Sequence, residues 1–367
     1  MLNPRSHAWR SLLAMAAVVG AVHAAAHVAG REVYLTQLTM AAYYAIVVMG
    51  LCLVMGYAGQ VSLGHGAFFA IGGYTSALLT TDPRLSSLQG GNAAEWLQRL
   101  GILCLRPELY GSGKVLAFTP SAAFLAGIAL AGAVALLIGY PSLRLKGHYL
   151  AMATLGFGLI VYKLVQGSAL TNGADGLAGV PAWSWGGGVA VSGRAACRVE
   201  NYYIAWGLAL GVLALLQNLV HSRVGRALRS IHDSELAANA MGIDTAGYKL
   251  RVFALSAVLA AAAGCFMTHY TGGIGPGEAG AMKSIRYVAL VAVGGMANLW
   301  GALVLSTVIN FLSLRGVFGS LDEAVFGVLL IVIVTWAPAG PLRPAGDWLR
   351  SVFRRRRRME SVDHAAA

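Results

Sequence analysis

HSRVGRALRSIHDSELAANAMGIDTAGYKLR, residues 221–251, is the one long polar segment of the chain with visible internal order. It lies between two apolar runs, about 202–220 and 252–270, each close to the roughly 20 residues that cross a bilayer as a helix. Arg223, Arg226, Arg229, Lys249 and Arg251 crowd its two ends. Basic excess of this kind marks the loops that stay in the cytoplasm. Within the segment Asp233 reads as an N-cap, and Glu235 falls in a first turn, where an acid suits the helix dipole. A short helix over 236–241 is expected to follow, with Gly242 in the place of a C′ glycine. Ala237, Ala238 and Ala240 leave that helix thin, so another surface can approach its backbone closely. The expectation is a docking element held between two membrane spans.

The rest of the 367 residues fits that frame: 57% are hydrophobic and 11% charged, against roughly 25% charged in a soluble domain. The mean hydropathy is +0.66. Repeated apolar runs of about 20 residues predict an all-α, polytopic membrane helix bundle. The alternating ten-residue segments of a membrane β-barrel do not occur. The net charge of +12 concentrates in segments expected inside: the 221–251 loop, Arg144 with Lys146, and Arg354–Arg358. These charges read as topology determinants facing anionic lipid, and no nucleic-acid-binding module is visible.

Residues 1–30 form a first apolar segment behind Arg5 and Arg10. It reads as a transmembrane helix with its N-terminus inside, a cleaved signal peptide being the alternative. Residues 31–340 form the transmembrane domain. A second crossing, about 33–57, breaks into GYAGQVSLGHGAF and continues as a glycine-rich segment to about Thr80. Two long loops, 82–114 and 166–200, are expected outside, the first with a short surface helix near Trp96 and Leu97. Crossings at about 116–140, 149–165, 202–220 and 252–270 follow, and TGGIGPGEAG reads as an outer turn. One straight helix over 285–312 and a last one at 317–336 would leave the basic C-terminus outside. Parity therefore favours a broken hairpin or half-helices around GGMANLWG. The sum is about ten membrane-embedded segments, with both termini cytoplasmic. Residues 341–367 are a basic tail in which Asp347 caps a surface helix carrying Trp348, Leu349, Val352 and Phe353. The glycine interruptions near 56–66 and 294–301 faintly echo each other, and paired interruptions often mark a transport pathway.

Cys52 and Cys265 fall in apolar spans as small packing residues. Cys104 and Cys197 fall one in each long outer loop. An oxidising exterior would allow a disulfide between them; otherwise they are two separate thiols. Neither metal-ligand spacing nor a phosphate-binding loop is present, since Val115 follows Gly113-Lys114 where Ser or Thr is required. No cofactor, no metal and no catalytic residue are expected. Energy for uphill movement must come from a partner.

Three segments together resemble the permease subunits of ATP-binding-cassette importers for branched-chain amino acids, most closely the M-type subunit of the high-affinity system. They are GYAGQVSLGHGAFFAIGGYTSALL (56–79), LRLKGHYLAMATLGFGLI leading to TNGADGLAGVP (143–181), and GRALRSIHDSELAANAMGIDTAGYKLRVFALSAVLAAAAGCF (225–266) followed by Gly294-Gly295. The long 82–114 loop and the basic C-terminal extension depart from the pattern. The resemblance implies a bacterial inner-membrane protein and a heterodimer with a second permease subunit. It also implies two ATPase subunits on the cytoplasmic side and a periplasmic solute-binding protein. The family's coupling segment matches around Glu235, Ala237, Ala238 and Gly242, with Arg226 and Arg229 either contacting the ATPase or setting topology. Related importers of urea, short amides or aromatic acids share these segments.

Gln60, Ser62 and His65 lie where the chain breaks inside an apolar region. They either face a translocation pathway or hydrogen-bond between helices. Thr171, Asn172 and Gly173 at the outer mouth either meet the binding protein or form a turn. A self-sufficient secondary transporter or channel is the competing class. It would carry an ionisable residue in mid-membrane, and the spans read here contain no convincing one. A membrane-embedded enzyme would need a clustered His/Asp/Glu set, which is also missing.

Overall fold

The computed structural model describes residues 4–81, 98–99, 101–107, 114–142, 148–186, 188–317, 319 and 322–336. The surface helix read at Trp96 and Leu97, the basic pair Arg144 and Lys146, and the whole 337–367 tail lie outside the described residues.

Apolar runs become helices because a bilayer offers backbone groups no other partner. Before the polar loop come α1 (Pro4–Val28), α2 (Val33–Gly56), α3 (His65–Thr81), α4 (Pro120–Ser142), α5 (His148–Gly167) and α6 (Arg198–His221). Helices α7 (Arg223–Asp233) and α8 (Glu235–Ala240) form that loop, and α9 (Thr245–Thr271) leaves it. Next come α10 (Ala281–Gly294), α11 (Leu299–Leu314) and α12 (Asp322–Trp336). Six of these helices are long and apolar enough to cross a membrane; α3, α10, α11 and α12 are shorter. Short antiparallel ladders, absent from the sequence reading, tie the loops at the end of the bundle remote from α7 and α8. Strand β1 (Leu103–Pro107) pairs with β2 (Lys114–Phe118), β3 (Leu177–Ala178) with β6 (Gly273–Ile274), and β4 (Trp183–Gly186) with β5 (Val189–Val191).

Helix α2 is the axis of the bundle. Tyr43, Met49, Leu51 and Leu53, which point to different sides of it, are all fully buried. Helix α1 sits at the periphery, fastened where Tyr202 donates to the Val19 carbonyl and His23 bonds the Tyr203 hydroxyl at 2.8 Å. Helix α4 buries a single stripe of small residues, Ala123, Gly127, Ala131, Ala135 and Gly139, spaced four apart. Its other faces expose Leu125, Leu130, Leu136 and Leu137. Small residues at such seams let helix backbones approach without a hydrophobic driving force. A close seam joins α3 to α9: a Cβ on Gly72 would meet the Ala261 backbone, and one on Gly264 would meet the Phe69 carbonyl.

The region 281–314 resolves the parity problem. It is a hairpin of two half-helices, α10 and α11, broken at Gly295, whose φ is +93°. Asn298 caps α11 by accepting from Gly301 N at 3.2 Å, and Gly294 packs directly on Gly301 and Ala302. The hairpin therefore adds no net crossing.

Replacing Gly72 by Val should force the α3–α9 seam apart, at the ~1–3 kcal/mol typical of overpacking. Melting of the detergent-purified protein should fall by several degrees. Gly207→Ala, whose added Cβ meets nothing within 4 Å, should not lower it.

Candidate functional site: the polar helical loop and the broken helices above it

The polar loop is two helices, not one. Helix α7 starts at Ser222, whose hydroxyl accepts from Val224 N at 3.1 Å, and buries Gly225, Leu228 and Ile231 on one face. Period 3.6 within a charged stretch was the signal for it, masked by the basic and acidic residues around it. Helix α8 is capped by Ser234, which accepts from Ala237 N at 3.3 Å. Asp233, expected in that role, is the last residue of α7. The correction has a simple cause: Ser234 has the extended backbone an N-cap needs, while Asp233 still belongs to the preceding helix.

At the far end of α8, Gly242 N donates to the Asn239 carbonyl at 2.9 Å and Ile243 N to that of Ala238 at 3.0 Å. That is a Schellman stop. Gly242 has φ +79°, as its predicted role requires.

Both helices are clamped to the spans they connect. Arg229 donates to the Val220 carbonyl at the end of α6 at 2.9 Å, and Gly225 lies against the same carbonyl. Glu235 is not free to reach outward. It forms a 2.7 Å ion pair with Lys249 of α9, and Thr245 donates to Asn239 at 3.0 Å. Ala238 is buried, while Arg226 and Ala237 face outward. Beside them stand two large apolar side chains, Leu236 at 78% and Met241 at 67% exposure. The sequence reading passed over both, although two large hydrophobic residues bracketing three alanines were visible.

Above this loop the two glycine interruptions meet. A Cβ on Gly56 would collide with the Met296 carbonyl. Cys52 Sγ donates to that carbonyl at 3.3 Å, and Tyr57 OH to the Ala297 carbonyl at 2.7 Å. Segment 57–64 runs from the loop toward the middle of the bundle. At its lower end a Cβ on Gly59 would come within 3.0 Å of His232 Nδ1 of α7. At its upper end Leu63 N donates to Thr154 of α5 at 3.0 Å.

Ser62 and His65 are spent on bonds between elements: Ser62 Oγ lies 3.1 Å from His65 Nδ1, and His65 Nε2 lies 2.7 Å from Ser256 Oγ of α9. Gln60 is buried and its Oε1 has no partner. Of the three residues read as pathway candidates, it is the one with a buried polar atom that has no partner.

The turn before α10 corrects the sequence reading most. Residues 273–280 are not a bare outer turn. They fold back so that Glu278, in the 3₁₀ turn Pro276–Ala279, meets Lys283 of α10 at 2.9 Å. Lys283 also donates to Tyr44 OH at 3.0 Å, and Tyr44 lies halfway along α2. An ionisable pair thus lies against the middle of α2, contributed by residues between the spans read from the sequence. Glycines on both sides of Glu278 made the segment look like solvent-facing loop.

At the remote mouth, Thr171 donates to the Val165 and Ser168 carbonyls, Asn172 takes the left-handed conformation and bonds Gly176 O, and Gly173 N donates to Ser168 O. These three residues build a turn that closes α5. Cys104, on β1, and Cys197 are both free thiols here, the second of the two readings the sequence left open. Among the described residues no metal-ligand cluster occurs.

The left-handed residue at 242 gives a direct test of the α8 stop. Gly242→Val should cost about 1–2 kcal/mol. Hydrogen exchange should read this as a roughly tenfold loss of protection at the Met241 and Ile243 amides, with α9 unaffected.

A family model described as the permease component of the branched-chain amino acid transport system matches residues 33–334. The chain is 29% identical over 326 residues to the high-affinity branched-chain amino acid transport system permease protein LivM of Salmonella typhimurium, covering 83% of this chain and 68% of that protein. It is 28% identical over 325 residues to the LivM of Escherichia coli K12, with the same coverage. Identity to the LivH permease protein of the same strain is 24% over 311 residues, covering 83% of this chain and 92% of LivH. No solved structure matches the chain.

Proposed function

The chain belongs to the family of branched-chain amino acid transport system permease components, and from that premise we propose that it is the M-type half of a heterodimeric importer. In this reading it pairs with a second, similar permease subunit. Two ATPase subunits dock on its cytoplasmic side, and a solute-binding protein delivers branched-chain or related hydrophobic amino acids to its outer face. The basic residues around α7 and α8 support a cytoplasmic position for that end. The hairpin of α10 and α11 supports a reading with both termini on that side. The observation that carries the proposal is the pair of exposed apolar side chains, Leu236 and Met241, on a clamped and capped helix.

The mechanism follows from the clamps. An ATPase groove gripping Leu236, Ala237 and Met241 and contacting Arg226 would move α7 and α8 as one body. Arg229 and Gly225 transmit that motion to α6, and the Glu235–Lys249 pair transmits it to α9. Through His232 and Gly59 it also reaches segment 57–64. Rigid displacement of such an element is an established way to switch a packed bundle between two arrangements. Glu235 thus acts as an internal strut, and Gly242 as the stop that keeps the gripped helix short.

Leu236→Asp and Met241→Glu should each abolish ATP-driven leucine uptake in vesicles and lower recovery of the ATPase on purification, while insertion stays normal. Glu235→Lys, which sets two ammonium groups together, should keep the ATPase bound but reduce uptake about tenfold or more. Normal uptake and normal assembly in all three variants would defeat the coupling reading.

A further inference from the structure

A cavity of about 520 Å³ opens beside the Glu278–Lys283 pair, within the roughly 300–1,000 Å³ range of small-ligand sites. Its walls are of two kinds. Met40, Phe69, Met267 and Ile274 supply an apolar side; Lys283, Glu278 and Tyr44 supply a charged and polar corner. The corner is incompletely satisfied in a particular way. Lys283 has three N–H donors, of which one goes to Glu278 Oε1 and one to Tyr44 OH, leaving one. Glu278 spends Oε1 on Lys283 and on Tyr44 OH at 3.2 Å, while Oε2 is buried with no partner. One N–H of Lys283 and the Oε2 of Glu278 therefore lack protein partners side by side, although the ion pair is made.

We propose that this cavity is a transient binding site for the zwitterionic head of an α-amino acid, whose aliphatic side chain lies on the Met40–Phe69–Met267–Ile274 wall. The ligand's carboxylate takes the third N–H of Lys283, and its ammonium donates to Glu278 Oε2. The placement favours this: α10 begins at Ala281, so its positive dipole end lies beside Lys283 and adds attraction for the carboxylate. The start of α3 joins the same corner, since Gly66 N donates to Ser284 Oγ at 3.2 Å. A carboxylic acid without an amine would leave Glu278 Oε2 orphaned beside a second anion. An amine without a carboxylate would strand the Lys283 donor. Recognition of both charges at once accounts for a neutral polar corner in an apolar cavity, where a lone pair meant only to lock helices would close on itself. Asp175, exposed at the cavity's rim, draws the ammonium end inward.

The inference rests on the substrate class of the preceding section, and the test separates the two. Met40→Cys serves as a reporter in the complete transporter complex, with Cys104 and Cys197 replaced by serine. Its labelling by a maleimide is timed with L-leucine, leucinamide or 4-methylpentanoate present. L-leucine should slow labelling by about tenfold or more, and neither analogue should do so. Lys283→Gln and Glu278→Gln should each remove the protection, and co-purification with the partner subunits reports whether they still assemble. Protection that survives in either assembled variant, or that the analogues give equally, would overturn the site. Absence of protection in a complex that accumulates leucine with ATP would overturn the site alone. Failure of the complex carrying the unsubstituted Met40 to accumulate leucine at all would overturn the substrate reading itself.

Discussion

A backbone that leaves helical geometry inside a membrane must find partners for every N–H and C=O it frees, because hydrocarbon supplies none. Two interruptions of this chain face that requirement, and they meet it largely through each other and the helices beside them. Gln60 N returns to the Val54 carbonyl at 3.1 Å, Leu63 N finds Thr154, and Gly66 N finds Ser284. On the other side the Met296 and Ala297 carbonyls take Cys52 Sγ and Tyr57 OH. The contact works only if α2 can end directly against the 295–298 break, and Gly56 permits that because a side chain there would occupy the Met296 carbonyl. The position of α3, of the α10–α11 hairpin and of the cavity between them all follow from this mutual satisfaction.

The same constraint separates what could be read in the sequence from what could not. Spans, basic loop ends and the Gly242 stop are local properties, carried by run length, charge and one glycine at the right offset, and they were legible. So was a broken hairpin in place of one straight helix over 285–312. Which break meets which is a tertiary matter. The faint likeness of 56–66 and 294–301 contained no sign that the two would touch. Helix α7 was hidden because its apolar residues, Leu228 and Ile231, are few and its charged residues many. The cap fell to Ser234 over Asp233 because a helix before it, not visible as such, absorbed the aspartate.

Polar residues were the least legible of all, for a related reason. Ser62 and His65 could be assigned to a pathway or to helix joining, and the bond that joins His65 to Ser256, 191 residues away, could not be read from either segment alone. Glu278 fell inside the stretch read as an outer turn, since glycine and proline surround it, and Lys283 was assigned to no element. Their pairing with Tyr44 depends on a chain reversal that composition does not encode.

These joints give the bundle a continuous route from its basic end to its middle. His232 touches Gly59; the segment it begins ends in Ser62, His65 and Ser256; one residue further, Gly66 bonds Ser284, and Glu278 lies beside it. Each hydrogen bond on the route is worth about 0.5–1.5 kcal/mol, and coupling between distant sites typically amounts to about 1–3 kcal/mol. A few such bonds, made in one arrangement and remade in another, are enough to bias a gate. The route also explains why α7 needs two firm attachments to the spans it joins. An element free to slide would dissipate a push at its first contact, whereas one held to α6 and, through α8, to α9 must carry segment 57–64 with it. What α7 and α8 provide is therefore a stiff unit at the basic end, and what Gly59 provides is a place thin enough for His232 to lie against the broken segment directly.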